Sequence, residues 1–174
     1  SMLCETLIHM IPTPLGGVRP IAVMCCLARV WAAVRRVYAA RWEAANNRRY
    51  NQVECQKAVF AQCVLDECLS EHLCSATLMV DIEKCFEHLN RQKLIAAAIA
   101  TGFPLRLLRW LLSVYRGNRH LILASMLGKA RCNCKGIVAG CAFATTLLRM
   151  YMCSSLDKLV QAFPTSHVRV IVDD

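Results

Sequence analysis

The sequence predicts an α+β protein, and three observations lead there. Apolar runs too short for helices, Thr77–Ile82 and Val168–Val172, have the β-favouring composition of strands. Longer segments carry apolar residues every three or four positions, the period of a helix with one face inward. The two kinds of segment are interspersed without internal repeats or low-complexity linkers, so strands distant in the chain must pair.

Taken in order, Leu7–Val23 sets short β-like runs among Pro12, Pro14, Gly16-Gly17 and Pro20, the punctuation of a hairpin whose return strand carries Arg19. From Met24 to about Asn47, Leu27, Val30/Trp31, Val34, Val37/Tyr38 and Trp42 form an apolar stripe opposite Arg35, Arg36 and Arg41, predicting a helix with a basic outer face. A second helix is expected from about Val53 to Leu73, inward on Val59/Phe60, Cys63/Val64, Cys68/Leu69 and Leu73. The run through Ile82 follows as a buried strand with Asp81 at its exit. Phe86–Leu89 is expected to form a helical turn, Arg91–Thr101 a helix stopped by Gly102, and Pro104–Tyr115 a helix begun by its proline. Arg119–Ala124 is expected as a strand and Cys132–Gly136 as a turn. Gly140–Phe163 is then a long helix, inward on Phe143, Leu147, Tyr151, Leu156 and Leu159/Val160, that ends before Pro164.

Composition bounds the function. With 174 residues and 56% apolar content, the chain can bury a core of one domain or two small lobes. Its 21 Lys+Arg against 12 Asp+Glu favour a polyanionic partner, nucleic acid or an anionic membrane surface. Uncharged stretches such as Leu94–Leu105 fall short of the ~18–20 residues that span a bilayer, so no transmembrane helix is expected. Ser1–Glu5 has no cationic region ahead of an apolar one, so no signal peptide is expected either. The 12 cysteines are scattered along apolar faces like small hydrophobes, which fits a reducing, intracellular compartment, nucleus or cytoplasm. Cys132-Asn-Cys134 lacks a second ligand pair at zinc-site spacing.

The chemistry concentrates in carboxylates. Asp81 ends one apolar strand and Asp173-Asp174 end another. Singly, each is a turn or capping residue. If the two strands are neighbours, the like charges repel unless divalent cations hold them, the arrangement that two-metal phosphoryl transfer uses.

Four stretches together resemble reverse transcriptases, most closely the type encoded by non-LTR (LINE-type) retrotransposons. IPTPLGGVRPIAV resembles the fingers motif ending in Arg-Pro-Ile, VDIEKCF the first catalytic palm motif, KGIVAGC the glycine-rich motif before a long palm helix, and VIVDD the double-Asp motif. Asp81 and Asp173 lie 92 residues apart, in the family's order. The resemblance implies a right-hand polymerase fingers–palm fragment, with an antiparallel, ferredoxin-like palm sheet packed with helices and the thumb absent. Residues 1–75 would supply the fingers hairpin and connecting helices, and 76–174 a palm with a finger-side insertion, truncated at the double-Asp motif.

It further implies an RNA-directed DNA polymerase that takes an RNA template, a DNA primer and deoxynucleoside triphosphates. Asp81, Asp173 and Asp174 would be catalytic and would bind two Mg²⁺ ions, or Mn²⁺, with help from the Ile82 carbonyl. Arg19, Phe86, Gly136, Ala139 and Gly140 would contact the nucleotide, Phe86 as a steric gate against ribose; a core aromatic is the other reading of Phe86. The chain departs from the family's pattern at Thr13, where Lys is usual, at Val138-Ala139, where Pro-Gln is usual, and at Ile171-Val172, where Tyr-Ala or Phe-Ala is usual. These departures leave open a second reading, a degenerate, non-catalytic remnant or RNA-binding module. A helical membrane-surface protein is a third.

Overall fold

The structure, a computed structural model, describes residues 5–12, 14, 16–48, 50, 55–70, 78, 80–123 and 126–170. They form two compact units, each discontinuous in sequence. The first takes residues 1–46 and 84–154, the second 47–83 and 155–174.

The first unit holds a mixed sheet. Strands β1 (Thr6–Pro12) and β2 (Val18–Met24) are the expected hairpin, antiparallel with Thr6 opposite Met24 and Ile11 opposite Arg19. The other edge of β1 pairs in parallel with β3 (Asn118–Leu123), Thr6 opposite Arg119. Parallel neighbours need a long crossover, and helices supply it here. Two short strands, β4 (Met126–Leu127) and β5 (Arg131–Cys132), return antiparallel onto β3.

The core of this unit comes from helices α4 (Arg91–Ala100) and α5 (Leu105–Tyr115) and from the chain around Phe143. Leu94, Leu108, Leu111, Tyr115, Ile137, Phe143, Leu147 and Met150 are all essentially sealed from solvent. Each contributes roughly 1.5–3 kcal/mol by leaving water. Both helices begin and end where local chemistry directs. Asn90 Oδ1 accepts from the main-chain N–H groups of Gln92 and Lys93 at 2.9 and 3.1 Å, and α4 stops where Gly102 takes a left-handed turn, φ +67°.

Helix α1 (Cys26–Ala45) forms where expected, but of its expected inward stripe only Trp42 is buried, Trp31 is half-buried and the rest faces solvent. Ala28, Ala32, Ala39 and Trp42 face inward, whereas Leu27, Val30, Val34, Val37 and Tyr38 are exposed, Val34 to 62%. Alanine lets the helix approach its neighbours closely, and the same face holds a polar network that large aliphatics would displace. Arg36 donates to Thr146 Oγ1 at 2.8 Å and pairs with Glu43 at 3.5 Å, and the Thr146 hydroxyl donates to the Glu43 carboxylate. Trp42 donates its indole N–H to the Thr101 carbonyl at 2.9 Å and meets Phe103 edge-on.

Helix α6 (Ala144–Ala162) starts four residues later than its sequence suggests, because Gly140 is left-handed, φ +84°. Phe143 and Leu147 point inward as expected, while Leu159 is exposed and Met150 and Cys153 are buried in its stead.

In the second unit, α2 (Cys55–Ser70) forms as expected but leaves Phe60, Cys63, Val64 and Cys68 exposed. Periodicity identifies residues that share a face; it does not supply a partner for that face. Tyr50 is buried, its hydroxyl donating to Asp157 at 2.7 Å and its carbonyl accepting from the Val170 N–H at 2.9 Å. The buried strand expected over Thr77–Ile82 does not form among its described residues. Leu78, Val80, Asp81 and Ile82 lie outside strand and helix, Leu78 86% and Val80 73% exposed. An apolar run becomes a strand only when another strand takes up its N–H and C=O groups, and none does so for these four residues. The antiparallel pair with Val168–Val172 is likewise absent among the described residues, and residues 171–174 lie outside them. No described helix is long and apolar enough to cross a membrane.

The orientation of α1 yields a direct test. Ala39→Leu should destabilise the protein by about 1–3 kcal/mol by overpacking a closed face, whereas Val34→Ser should change stability by less than about 0.5 kcal/mol. Urea denaturation of both variants checks this, and the stripe-inward orientation would give the reverse order.

Candidate functional site

In the first unit the structure brings together four of the residues named from the sequence. Phe86 stands in α3 (Cys85–His88), a single turn entered through Lys84, a non-glycine residue with left-handed backbone, φ +50°. The Lys84 carbonyl accepts from Glu87 and His88 N–H at 3.1 and 3.2 Å, which closes the turn and leaves Phe86 half-buried.

The glycine-rich stretch docks on this turn through its main chain. Gly136 N–H donates to the Leu89 carbonyl at 2.8 Å and Ile137 N–H to the Phe86 carbonyl at 2.9 Å. Gly136 is buried with φ +65°, and a Cβ there would stand 2.5 Å from the Glu87 oxygen and 2.7 Å from the Phe86 oxygen. Only glycine fits. Four residues on, a Cβ at Gly140 would lie 3.3 Å from the carbonyl of Ala22, in the strand that also carries Arg19. Ala139, between them, is half-buried, and Val138 is buried. Beside Gly140 opens a groove of about 510 Å³ whose walls include Met24, Arg29, Ala33 and Ala142. The loop therefore joins the Phe86 turn at one end to β2 and the groove at the other.

Arg91 secures this loop, and the sequence reading missed it. Its Nε donates to the Gly136 carbonyl at 2.8 Å, and a terminal nitrogen donates to the carbonyls of Tyr115 and Lys135 at 2.9 and 3.0 Å. Burial, then the neighbouring charges of Arg119 and Arg116, lower its pKa from the ordinary value, and the guanidinium remains charged. A signal was available: a cation in the first turn of a helix opposes the helix dipole, so Arg91 needed another reason to stand there. Arg119 on β3 is also lowered by burial, with the charge of Glu87 opposing the shift. Its Nε and one terminal nitrogen are buried without a hydrogen-bond partner among the described residues.

The loop carries no nucleophile. Burial raises the pKa of the Cys141 thiol, and burial raises that of the Tyr115 phenol well above its usual value, so both stay protonated at neutral pH. What the site offers is backbone at close approach, a ring and a groove with a guanidinium, which suits holding a ligand in place.

Asp81 and Ile82 belong to the second unit, where both are exposed. An exposed carboxylate is the hard oxygen donor that Mg²⁺ takes. The other proposed ligands, Asp173 and Asp174, lie outside the described residues, as do Thr13 and Ile171-Val172. Among the described residues no three His, Cys, Asp or Glu side chains gather as a metal site. Of Arg19 the structure describes the backbone, paired in β2 opposite Ile11.

No protein-family model matches the sequence, and none of the curated proteins does. Among solved structures the chain is similar to apo telomerase from Candida tropicalis truncated from its C-terminal domain, with a TM-score of 0.65 at 13% identity. The likeness covers 98% of this chain and 43% of that one. The chain thus shares the fold of that stretch of the telomerase chain.

Gly136→Ala should be severe. The left-handed backbone alone costs of order 1–3 kcal/mol for a residue with a Cβ, and the two carbonyls in its way are main chain and cannot swing aside. Thermal and urea denaturation should show a loss at the upper end of that range or beyond, while Gly102→Ala, left-handed but with open space around it, should lose less.

Proposed function

We propose that this chain is the fingers–palm part of an RNA-directed DNA polymerase of a LINE-type retroelement, which copies an RNA template by adding deoxynucleotides to a DNA primer 3′-OH. The observation that carries the reading is a reverse-transcriptase-like fold along 98% of the chain, in a sequence whose four motifs point the same way. The LINE-type assignment rests on those motifs.

In this reading Asp81, Asp173, Asp174 and the Ile82 carbonyl hold two Mg²⁺ ions, or Mn²⁺. Bound there, the ions supply a lowered pKa at the primer 3′-OH and charge neutralisation at the leaving pyrophosphate. The chain's own residues position the reactants. Gly136 and Gly140 let the main chain approach the nucleotide without a side chain intervening. Arg91 holds the loop that carries them. Phe86, fixed through its own carbonyl to Ile137, presents a ring against the sugar and leaves no room for a 2′-OH. Arg19 on β2 serves the triphosphate. A reducing compartment, nucleus or cytoplasm, belongs to the same reading, from the scatter of the 12 cysteines along the sequence.

Primer extension on an RNA template, by a chain that continues beyond Asp174 through a thumb, tests the reading. Incorporation should require Mg²⁺ or Mn²⁺ and be abolished by Asp81→Ala. Absence of incorporation with either metal would favour the non-catalytic remnant. Sugar selection is a separate expectation: Phe86→Val should raise kcat/KM for ribonucleotides relative to deoxynucleotides by about 10- to 200-fold, the scale on which a pocket gains or loses exclusion of one group. An unchanged ratio in an active variant would mean that Phe86 is a core aromatic.

A further inference from the structure

Helices α1 and α5 share an aromatic and cationic surface that the nucleotide site does not use. Trp31 of α1 stacks on Trp110 of α5, with centroids 3.7 Å apart and planes 20° off parallel. The Arg35 guanidinium lies 5.9 Å from the Trp31 ring and 6.0 Å from the Tyr38 ring. The order Trp110, Trp31, Arg35, Tyr38 is therefore a continuous ladder of flat groups, and it reaches solvent at Tyr38, 43% exposed.

The charge around the ladder is of one sign. The two helices carry six arginines, among them the exposed Arg35, Arg41, Arg106 and Arg109, against one acid, Glu43. Glu43 is already committed to Arg36 and Thr146. Flat rings interleaved with guanidinium groups, on a surface without free carboxylates, have the chemistry that stacks unpaired bases and binds the phosphates between them. A duplex offers this surface its phosphates only, since its bases are already stacked.

We infer that the Trp110–Trp31–Arg35–Tyr38 ladder is a binding platform for single-stranded RNA. The choice of RNA rests on the polymerase reading above: in an RNA-copying enzyme the new DNA stays paired, and the template is the strand that remains single ahead of the site. The ladder then holds template bases by stacking, largely without regard to sequence, while Arg41 and Arg109 take phosphates.

The test uses the 174-residue chain in EDTA, so that binding is measured apart from polymerisation. Of its three tryptophans, Trp42 is buried with its N–H bonded to Thr101, so fluorescence quenching reports on the Trp31–Trp110 pair. A 12-nucleotide oligouridylate should quench saturably. Tyr38→Ala should raise its Kd by about tenfold, the scale of one stacked base, and Tyr38→Phe should retain the wild-type value. Arg41→Gln and Arg109→Gln should each reduce the slope of log K against log salt by about 0.7. Absence of quenching would overturn the inference, as would equal affinity for an RNA duplex of the same length, an unchanged Kd in folded Tyr38→Ala, or preferential quenching by phosphatidylserine vesicles. Failure of primer extension would leave these outcomes unmoved, and an active polymerase without the Tyr38 effect would overturn this inference alone.

Discussion

The candidate site depends on one buried cation. Arg91 places its guanidinium on three main-chain carbonyls, those of Tyr115, Lys135 and Gly136, which come from the end of α5 and from the loop that follows the sheet. A charged donor on neutral acceptors makes each of these bonds stronger than an amide–amide bond, and each removes a carbonyl from the list of buried groups that would otherwise lack a partner. The loop so held can then bond to the Phe86 turn through Gly136 and Ile137. That docking is possible only because Gly136 has no side chain. Guanidinium, glycine and aromatic turn are therefore one mechanical unit.

This unit explains how a loop without regular structure can be a precise part of a binding site. Main-chain hydrogen bonds at both ends, left-handed glycines at positions 136 and 140, and buried Ile137 and Val138 fix its course. Such a loop presents backbone where a side chain would obstruct. Its chemistry is that of holding, with the thiol and phenol nearest to it kept protonated by burial.

Helix α1, which lines the groove beside Gly140, shows the same economy of contact. Alanines bring it close to its neighbours, the Arg36–Thr146–Glu43 network fixes its rotation, Trp42 is buried, and Leu27, Val30, Val34, Val37 and Tyr38 are left outward. A helix held by its small residues is free to offer its large ones to something else. The stack of Trp31 on Trp110 ties that outward side to α5 and sets the aromatic groups in a line.

The sequence by itself determined the elements. The hairpin, six helical segments and the strand at 118–123 stand close to where periodicity, prolines and glycines put them, because those signals act within a few residues of each other. It also put Phe86 in a helical turn, whereas the need for glycine at 136 was decided by the tertiary structure, because the carbonyls in the way belong to the distant Phe86 and Glu87. Only the tertiary structure decided which face of α1 is inward, since a hydrophobic stripe states a preference that close packing and a buried polar network can outweigh. Only the tertiary structure showed that the apolar run at 78–82 stays outside the sheet among its described residues, since a strand exists by virtue of its partner. The role of Arg91 was decided there too: its three acceptors lie 24 to 45 residues away, a distance that no local pattern spans.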